Sequence, residues 1–416
     1  MLLLSPLPGL DPMNGDVTYT TSLLANPPPG VSYTTYSEAL ADGTLSEFTL
    51  RATAPHDGLP RLGIAGLNSF INRLRRSGLL FREPTRLLSL RSGSYDLVHC
   101  HVFNVHWVER DCPVVLSNAN PITWLYSDAF KWPGPRVSLA SGAESLVAAL
   151  LDVEHSSFRL VHSARVIAFT DKLAEWYEIH RVPRPRIDVV PCFTAIPEHP
   201  RPRRNPPFVV GFAGDWTAKG GYTALCAFEE LAERLPRVRF KVVSDFPPSV
   251  AERLARCGAT TSKRLGRDTF LSGWLPSIDV LAYPSEFDGL PLTLLEAMAL
   301  GVPVATSDYG ALPAVVGDGG LVSPVGDPAT LADNLAELLD AGTNDHVGAL
   351  GRQRVTQHYS PDVVVKQLRA SYDRALSLTS NAPGARSTEP ARRVASERYY
   401  RKSVPGSRHK ARQTGP

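Results

Sequence analysis

Residues 281–308, LAYPSEFDGLPLTLLEAMALGVPVATSD, contain the pattern that decides the fold. A buried strand is predicted at 281–283 and ends at Pro284, and a second is predicted at 302–306. Pro291 suits the first position of the intervening helix, where its missing N–H costs nothing, and Gly301 suits the position just past the helix end. Strands that alternate with helices in this way are typical of open, mostly parallel α/β sheets.

Glu296 is the one charged residue between Gly289 and Ser307. A buried carboxylate without a partner is costly, and residues 281–308 contain no Lys or Arg. A group outside this stretch must therefore meet Glu296, and hydroxyl donors would serve. The alternative interpretation is an ordinary strand-turn-helix in which Glu296 reaches the surface.

Asp288 lies eight residues before Glu296, and the backbone amides of Gly289 and Leu290 follow it at the start of the helix. Helix N-termini attract phosphate through free N–H groups and the helix dipole. A phosphate at this turn and a ribose at Glu296 together describe a nucleotide-sugar site.

The segment resembles the E-x7-E motif of retaining GT-B glycosyltransferases of the family-4 type, the glycosyl transferases group 1, in its acidic-G-L-P variant. Asp288 stands where that family more often has Glu. The resemblance implies that Glu296 binds the donor ribose and that Asp288 faces the transferred sugar. It also implies that the amides of Gly289 and Leu290, next to Pro291, hold the diphosphate.

The same resemblance implies the fold class. It is α/β of the GT-B type, with two Rossmann-like domains facing each other across a cleft and a C-terminal helix that crosses back to the first domain.

Lys219 is the cation predicted to meet the diphosphate. It lies in the turn GDWTAKGG, residues 214–221, after a predicted strand at 208–213. A Lys before a glycine pair at such a turn can reach a phosphate that the backbone approaches closely, and the resemblance implies both a donor-binding and a catalytic role. The family usually has an Arg shortly before this Lys, whereas this chain has Gly214 and Asp215. Arg264 and Arg267 are the candidates to replace that cation.

His101 is the third catalytic candidate. Residues 95–101, YDLVHCH, predict a strand and resemble the family's D-hydrophobic-hydrophobic-H-x-H strand. Ligands of open α/β sheets lie at the carboxyl ends of strands, which favours His101 over His99 as a cleft residue. The alternative interpretation is that His101 has only a structural role and forms hydrogen bonds at the strand end.

Gly15, in the first loop, is a donor-binding candidate on the resemblance alone, since a turn glycine needs no ligand to explain it. Many relatives place a sugar-contacting His after the next strand. This chain has none there, and Asn118 or Asn120 is the candidate substitute.

The chain of 416 residues exceeds the usual size of one hydrophobic core. Residues 196–207 contain prolines at 197, 200, 202, 206 and 207. Such a segment cannot hold a helix and predicts a domain boundary. Ser360 and Pro361 predict the start of a last helix. The predicted organisation is an acceptor domain at 1–193, a linker at 194–207, a nucleotide-sugar donor domain at 208–360, a crossover helix at 361–378 and a disordered basic tail at 379–416.

The net charge of +3 is unevenly distributed. Residues 381–416 carry nine Lys or Arg against two Glu, and residues 61–91 carry seven Arg against one Glu. Both segments are predicted either to dock on an anionic membrane surface or simply to be solvated. Nucleic acid is not an expected partner, because aromatic residues are not interleaved with the basic tail.

The composition favours a cytoplasmic protein, peripheral at the inner face of the membrane if the basic segments dock there. No apolar run approaches the roughly 18 residues that span a bilayer, and the first residues read as a strand and not as a signal peptide. Five widely spaced cysteines without C-x-x-C indicate a reducing compartment and no zinc site. Neither a metal nor a cofactor is expected.

Motifs of other enzyme classes are absent from the sequence: G-x-G-x-x-G after the first strand, the P-loop, H-E-x-x-H and G-x-S-x-G. The sequence therefore predicts a retaining, hexosyltransferase-like enzyme. It would move a sugar from a nucleotide-diphosphate sugar to a hydroxyl of an acceptor glycan or glycolipid. The alternative is a nucleotide-sugar binding protein of the same fold that has lost turnover, as the missing Arg and His suggest.

Overall fold

The computed structural model describes most of the chain, and within it Met1–Thr379 forms one compact unit. Leu290, Asn118, Asn120, residues 61–85 and the tail from 381 onward lie outside the described residues, so the predictions that fall on them stay predictions. The described residues are 1–4, 15–48, 86–101, 105–117, 133, 135–136, 139–140, 143, 154–155, 165–179, 182–202, 208–289 and 291–380.

Sixteen strands are found in the described residues, and most follow the apolar runs of the sequence. In chain order they are β1 Leu2–Leu4, β2 Thr34–Thr35, β3 Leu45–Phe48, β4 Arg86–Leu90, β5 Val98–His101, β6 Val105–Glu109, β7 Val114–Ser117, β8 Glu154–His155, β9 Arg165–Ala168, β10 Ile187–Val189, β11 Val209–Ala213, β12 Arg239–Val243, β13 Ala259–Ser262, β14 Val280–Tyr283, β15 Val304–Ser307 and β16 Gly320–Ser323.

Two six-stranded sheets, parallel throughout, form the frame. The first has the order β10-β9-β7-β5-β1-β2 and the second the order β13-β12-β11-β14-β15-β16. The second order is that of a doubly wound dinucleotide-binding sheet, in which the strand order reverses between β11 and β14 while all strands stay parallel. The predicted α/β class with parallel sheets is confirmed.

A third sheet, β3-β4-β6-β8, was not predicted from the sequence. It is mixed: β4 is antiparallel to β3 and parallel to β6, and β6 is antiparallel to β8. Leu88 and Leu90 are buried around a half-buried Ser89, so the end of the arginine-rich stretch 61–91 is a strand. The sequence analysis placed no strand in this arginine-rich stretch, because the alternation of buried and half-buried residues that marks β4 is short.

Helices connect the strands, and the last one begins at Pro361 as the sequence predicts. Within the described part of the chain, none is long and apolar enough to cross a membrane. The helices are Gly15–Ala25, Tyr36–Ala41, Asp171–Ile179, Gly221–Arg234, Pro248–Arg256, Leu292–Ala299, Leu312–Val316, Pro328–Leu338, Ala341–His358 and Pro361–Ser380, with a helical stretch from Arg267 to Ser277 and short 3-10 turns at Arg184–Arg186 and Gly317–Gly319.

The last helix packs on the first sheet, which is the crossover that the fold class implies. Val364, Leu368 and Tyr372 form its buried stripe. The Tyr372 hydroxyl is 2.7 Å from Nδ1 of His99 and 2.9 Å from the hydroxyl of Tyr33. These contacts tie the end of the chain to elements near its beginning.

Asp188 in β10 holds the last helix in place. Its carboxylate accepts hydrogen bonds from Arg165 Nε at 2.8 Å, Ser371 Oγ at 2.7 Å and Arg374 Nη2 at 2.8 Å. Burial alone would raise the pKa of Asp188, but the hydrogen bonds from Arg165 and Ser371 and the nearby guanidinium charges lower it below its usual value. The buried carboxylate is therefore ionised and fully paired.

The proline-rich linker is fixed to the second sheet at its described end. Arg201 Nη1 lies 2.9 Å from Oδ1 of Asp279, a buried carboxylate just before β14. Arg352 donates to the carbonyl oxygens of Ala299 and Pro197, at 2.5 Å each. The linker residues near 197–201 therefore move with the second sheet and its helices.

Asp188→Asn should destabilise the fold by about 3 kcal/mol, because it removes one partner of a buried ion pair and leaves Arg165 uncompensated. The folded pKa of Asp188 is lowered, so its contribution is present above the unfolded pKa of about 4 and is lost as the pH falls through the folded pKa. Urea unfolding of both proteins at several pH values measures the difference, which should shrink below about pH 4.

Asp373→Asn is the matched control. Asp373 also pairs with an arginine on the last helix, Arg369 at 2.9 Å, but both side chains are exposed. This change should cost less than about 1 kcal/mol. Equal losses in the two variants would contradict the proposed anchoring by Asp188.

Candidate functional site at the carboxyl edge of the second sheet

Two loops meet at the switch point of the second sheet, where the strand order reverses between β11 and β14. One follows β11 and contains Lys219, and the other follows β14 and contains Asp288. Because β11 and β14 are parallel neighbours, their carboxyl ends lie side by side. Ligands of doubly wound sheets bind in the crevice at this switch point. The topology therefore brings together two motifs that lie about 70 residues apart in the chain.

Backbone hydrogen bonds join the two loops directly. The carbonyl oxygen of Ala218 accepts from the amide of Glu286 at 3.0 Å and from the amide of Phe287 at 3.1 Å. The hydroxyl of Ser285 donates to the same oxygen at 3.2 Å. One backbone oxygen thus fixes three consecutive residues of the second loop.

Gly220 makes this close approach possible. Its φ of +72° lies in the left-handed region that glycine adopts readily. A Cβ atom at this position would lie 2.0 Å from the carbonyl oxygen of Pro284. Both the backbone conformation and the lack of space require glycine, and the helix Gly221–Arg234 begins directly after it.

Lys219 and Asp288 are in contact at the centre of the site. Lys219 Nζ donates to Asp288 Oδ2 at 2.7 Å and to the carbonyl oxygen of Phe287 at 3.3 Å. The Tyr283 hydroxyl donates to the same Oδ2 atom. The Asp288 side chain is 2% exposed, whereas that of Lys219 is 21% exposed. The lysine is therefore the member of the pair that a ligand reaches first.

Tyr283 is a functional-site residue that sequence reasoning missed. It is the last residue of β14, where it was counted as part of a buried strand. Burial, together with the negative charges of Asp288 and Glu296, raises the pKa of its hydroxyl well above the ordinary value. Tyr283 therefore stays a hydrogen-bond donor to Asp288 throughout the physiological pH range.

Glu296 is buried, as the sequence suggested, and the group that meets it is Arg267. A guanidinium nitrogen, Nη2 of Arg267, donates to Glu296 Oε1. Glu296 Oε2 is buried and has no hydrogen-bond partner among the described residues. Burial raises the pKa of this carboxyl, and the positive charge of Arg267 opposes the shift.

The two arginines proposed to replace the missing cation near Lys219 are both next to carboxylates. Arg267 forms an ion pair with Glu296, and Arg264 Nε is 3.4 Å from Oδ2 of Asp245. The separation of 29 positions between Arg267 and Glu296 corresponds to no local spacing rule. Only the cost of an unpaired buried acid, together with the shortage of basic residues nearby, could have indicated this pair from the sequence.

The carboxyl end of the first sheet holds Gly15 and His101. Gly15 is the first residue of the helix Gly15–Ala25, and His101 is the last residue of β5. His101 Nε2 lies 3.3 Å from Oδ1 of Asp16, and its Nδ1 lies 2.8 Å from Ser117 Oγ. The His101 side chain has no exposed surface, whereas that of Asp16 is 20% exposed. Asp16 is therefore the member of this pair that a ligand would meet first.

His99 has a structural place in the same network. Its Nε2 is 2.8 Å from Ser117 Oγ and its Nδ1 faces Tyr372 in the last helix. Complete burial, together with the neighbouring His101, lowers the pKa of His99 to about 3. A chain of hydrogen-bonding groups therefore runs from the last helix to the end of β5.

A cavity of about 250 Å³ adjoins Asp288 and lies between the two halves of the molecule. Thr170, Lys172, Leu173 and Trp176 contribute one wall, from the start of the helix Asp171–Ile179 and the residue before it. The opposite wall consists of Asp288, Gly289, Pro291, Tyr309, Gly310, Ala311, Leu312 and Val315. The lining is mostly apolar, and Asp288 supplies a carboxylate at its edge.

The structure brings several of the predicted donor residues together, whereas Gly15 lies at the first sheet with Asp16 and His101. Lys219, Asp288 and Gly289 lie at the switch point, and Pro291 immediately precedes the helix that carries Glu296. Leu290 lies outside the described residues. Among the residues that are described, no group of three or more His, Cys, Asp or Glu is arranged to hold a metal ion.

Comparison with known proteins indicates a family for part of the chain. Residues 207–341 match the family described as glycosyl transferases group 1. The MMP alpha-(1->4)-mannosyltransferase of Mycolicibacterium hassiacum is 37% identical over 115 residues, which are 26% of this chain and 28% of that protein. The D-inositol 3-phosphate glycosyltransferase of Corynebacterium efficiens is 27% identical over 342 residues, which are 72% of this chain and 76% of that protein. The match thus spans less than a third of the first relative.

Comparison with solved structures gives the fold. Sucrose-phosphate synthase from Thermosynechococcus elongatus has a TM-score of 0.55 at 17% identity, with 91% of this chain and 99% of that chain covered. At this identity the likeness concerns the fold alone. The GT-B class predicted from the sequence is confirmed.

Gly220→Ala should destabilise the protein more than Gly258→Ala. Both glycines have nearly the same positive φ, +72° and +74°, but an added Cβ at Gly258 meets nothing within 4 Å. The backbone strain should cost each variant about 1 kcal/mol. The collision with Pro284 should add about 1–3 kcal/mol in Gly220→Ala. Urea unfolding measures both free energies.

Gly258→Ala is thus the matched control for strain without collision. Equal losses in the two variants would mean that the loops separate at little cost, which contradicts a rigid contact between the Lys219 and Asp288 loops.

Proposed function

We propose that this chain, whose residues 207–341 match the group 1 glycosyltransferases and whose fold is of the GT-B class, is a retaining glycosyltransferase. It transfers a sugar from a nucleotide-diphosphate sugar to a hydroxyl group of an acceptor glycan or glycolipid. The observation that carries this proposal is the meeting of Lys219 with Asp288 at the switch point, in the same segment as the buried Glu296.

The donor lies along the second half of the molecule in this proposal. Its ribose hydroxyls donate to Glu296, whose Oε2 has no other described partner. Its diphosphate accepts from Lys219 and from backbone amides at Gly289 and Leu290. The transferred sugar lies at Asp288, next to the cavity of about 250 Å³. That volume suits a single sugar ring and is below the about 300–1,000 Å³ typical of sites for larger ligands.

Donor binding requires Lys219 to change partners. In the unliganded protein its ammonium group lies 2.7 Å from Asp288. A diphosphate offers more negative charge than one carboxylate, so the ammonium shifts from Asp288 toward the phosphate oxygens. Asp288 keeps its hydrogen bond from Tyr283 and becomes an acceptor for a hydroxyl group of the sugar.

The transfer step needs no separate base. The acceptor oxygen forms a bond to the anomeric carbon on the face from which the diphosphate oxygen departs, and the acceptor proton passes to that departing oxygen. The configuration at the anomeric carbon is thereby retained. Lys219 and the loop amides stabilise the charge that develops on the leaving group, in a position fixed before the reaction. No metal or cofactor is required in this scheme.

The apolar wall of the cavity protects the reacting sugar from water. Leu173 and Trp176 come from the first half of the molecule, and Leu312 and Val315 come from the second. Exclusion of water from this space favours transfer over hydrolysis of the donor. Synthesis of a glycolipid, a polysaccharide or another glycoconjugate is the process that such a reaction serves.

The location at the inner face of a membrane stays part of this proposal. It depends on the basic segments 61–91 and 381–416. Residues 61–85 and 381–416 lie outside the described part of the chain. Vesicles with anionic lipids, compared with neutral ones, test this docking directly.

The alternative is a protein that binds the nucleotide sugar without turnover. It is favoured by Gly214 and Asp215, which stand where relatives have a cation, and by the close pairing of Lys219 with Asp288. Donor binding without transfer or hydrolysis across a panel of acceptors would support this alternative. Transfer to any acceptor in the panel excludes it.

Glu296→Ala should weaken donor binding at least tenfold while the fold is kept. A thermal-shift screen of the wild-type protein against UDP-, GDP- and ADP-sugars identifies the donor, and calorimetry then gives its affinity. Loss of the charge-assisted hydrogen bonds to ribose is worth about 1.5–3 kcal/mol, which is at least a tenfold weaker affinity.

Glu229→Ala is the matched control, since Glu229 also pairs with an arginine, Arg253, but far from the switch point in the helix Gly221–Arg234. Its donor affinity should equal that of the wild type. If Glu296→Ala binds the donor as tightly as Glu229→Ala does, the ribose site is not at Glu296.

A further inference from the structure

Glu296 differs from the other buried carboxylates in having one oxygen without a partner. Asp188 and Asp279 use both oxygens in hydrogen bonds to described residues. Arg267 donates a hydrogen bond to Glu296 Oε1 only. The other oxygen, Oε2, is buried and has no hydrogen-bond partner among the described residues. A buried polar atom in this state costs free energy unless a ligand satisfies it.

Among the described residues, Arg267 is the one cation in contact with Glu296. It comes from the start of the helical stretch Arg267 to Ser277, and its side chain is 26% exposed. In the described part of the chain, Tyr283 on the same segment and Cys192 from the residues after β10 also interact electrostatically with Glu296. These groups are acidic, and none of them stabilises a second negative charge.

In the part of the chain that the structure describes, the remaining elements packed on the helix Leu292–Ala299 add no counter-charge at Glu296. From the helix Ala341–His358, Arg352 reaches the carbonyl oxygen of Ala299, at the far end of the Glu296 helix. Strand β15 presents Val304, Ala305, Thr306 and Ser307, which are uncharged.

The protonation state of Glu296 decides what it can bind. A carboxylate accepts hydrogen bonds from two ribose hydroxyls, whereas a neutral acid carries a proton on one oxygen and accepts more weakly. Burial favours the neutral acid and the guanidinium favours the carboxylate. Burial and the charge of Arg267 thus shift the pKa of Glu296 in opposite directions. Donor binding requires the ionised form of Glu296.

We propose that Arg267 is a positioning residue of the donor site: it keeps Glu296 ionised and fixes Oε1, so that Oε2 remains available to the ribose hydroxyls of the nucleotide sugar. This inference rests on the proposed function for its ligand. The coupling between Arg267 and Glu296 is a property of the unliganded protein and is tested separately.

The first experiment needs no ligand. Urea unfolding is followed between pH 5 and pH 9 for the wild type, Arg267→Gln, the double variant Arg267→Gln/Glu296→Gln and the control Arg253→Gln. Arg253 also pairs with a single glutamate, but that pair is half-exposed. Without Arg267, the folded pKa of Glu296 rises further above its unfolded value. Its protonated form then stabilises the fold at low pH, and this stabilisation is lost as the pH rises through the folded pKa.

Arg267→Gln should therefore lose stability with rising pH more steeply than Arg253→Gln, and the double variant should lose this dependence. Parallel curves for Arg267→Gln and Arg253→Gln would overturn the proposal, because Arg267 would then not set the ionisation of Glu296.

The second experiment measures donor affinity by calorimetry at pH 6.5 and pH 8.5, with UDP-, GDP- or ADP-glucose, whichever binds the wild type most tightly. Arg267→Gln should bind at least tenfold more weakly at pH 6.5 and recover at least threefold at pH 8.5, where Glu296 ionises without help. Arg267→Lys should stay within about threefold of the wild type, because a cation is restored.

An equal loss at both pH values, unchanged by lysine, would overturn the proposal and indicate that the guanidinium contacts the nucleotide directly. If the wild type binds none of the three nucleotide sugars, the proposed function fails, and the unfolding curves still decide whether Arg267 controls Glu296.

Discussion

The close approach of Gly220 to Pro284 is the constraint on which the site depends. The two backbones pass so near each other that a single methyl group would collide, and the carbonyl oxygen of Ala218 ties the loops together. This contact exists because β11 and β14 are parallel neighbours at the point where the strand order of the sheet reverses. From that arrangement it follows that Lys219 and Asp288 touch. The site is therefore a consequence of the sheet topology and not of either loop alone.

The buried charges separate structural from functional roles. Among the described residues four carboxylates are buried: Asp188, Asp279, Asp288 and Glu296. Asp188 fixes the last helix and Asp279 fixes the linker, and in both all oxygen atoms accept hydrogen bonds from within the protein. Lys219, which pairs with Asp288, is partly exposed. One carboxylate oxygen of Glu296 has no hydrogen-bond partner among the described residues. Of these four carboxylates, the one with a buried oxygen that lacks a described partner is thus in the segment that resembles a donor site.

Much of this arrangement was predictable from the sequence, because it depends on local patterns. Apolar runs predicted several strands of the two parallel sheets, among them those at 95–101, 208–213 and 281–283, and an isolated acid in an apolar helix indicated Glu296. The contacts of Arg267 with Glu296 and of Tyr283 with Asp288 were not predicted. The first joins residues with no local periodicity between them, and the second comes from a tyrosine that reads as an ordinary strand residue. The mixed sheet containing β4 was missed because arginines obscured its short alternation of leucines.

The most direct measurement is a crystal structure of the protein with the nucleoside diphosphate of its donor. The account predicts ribose hydroxyls within hydrogen-bond distance of Glu296 Oε2. It also predicts that Lys219 Nζ leaves Asp288, from which it is now 2.7 Å away, and contacts a phosphate oxygen. A nucleotide bound away from the junction of β11 and β14, or a bound diphosphate with the pair of Lys219 and Asp288 unchanged, would contradict it.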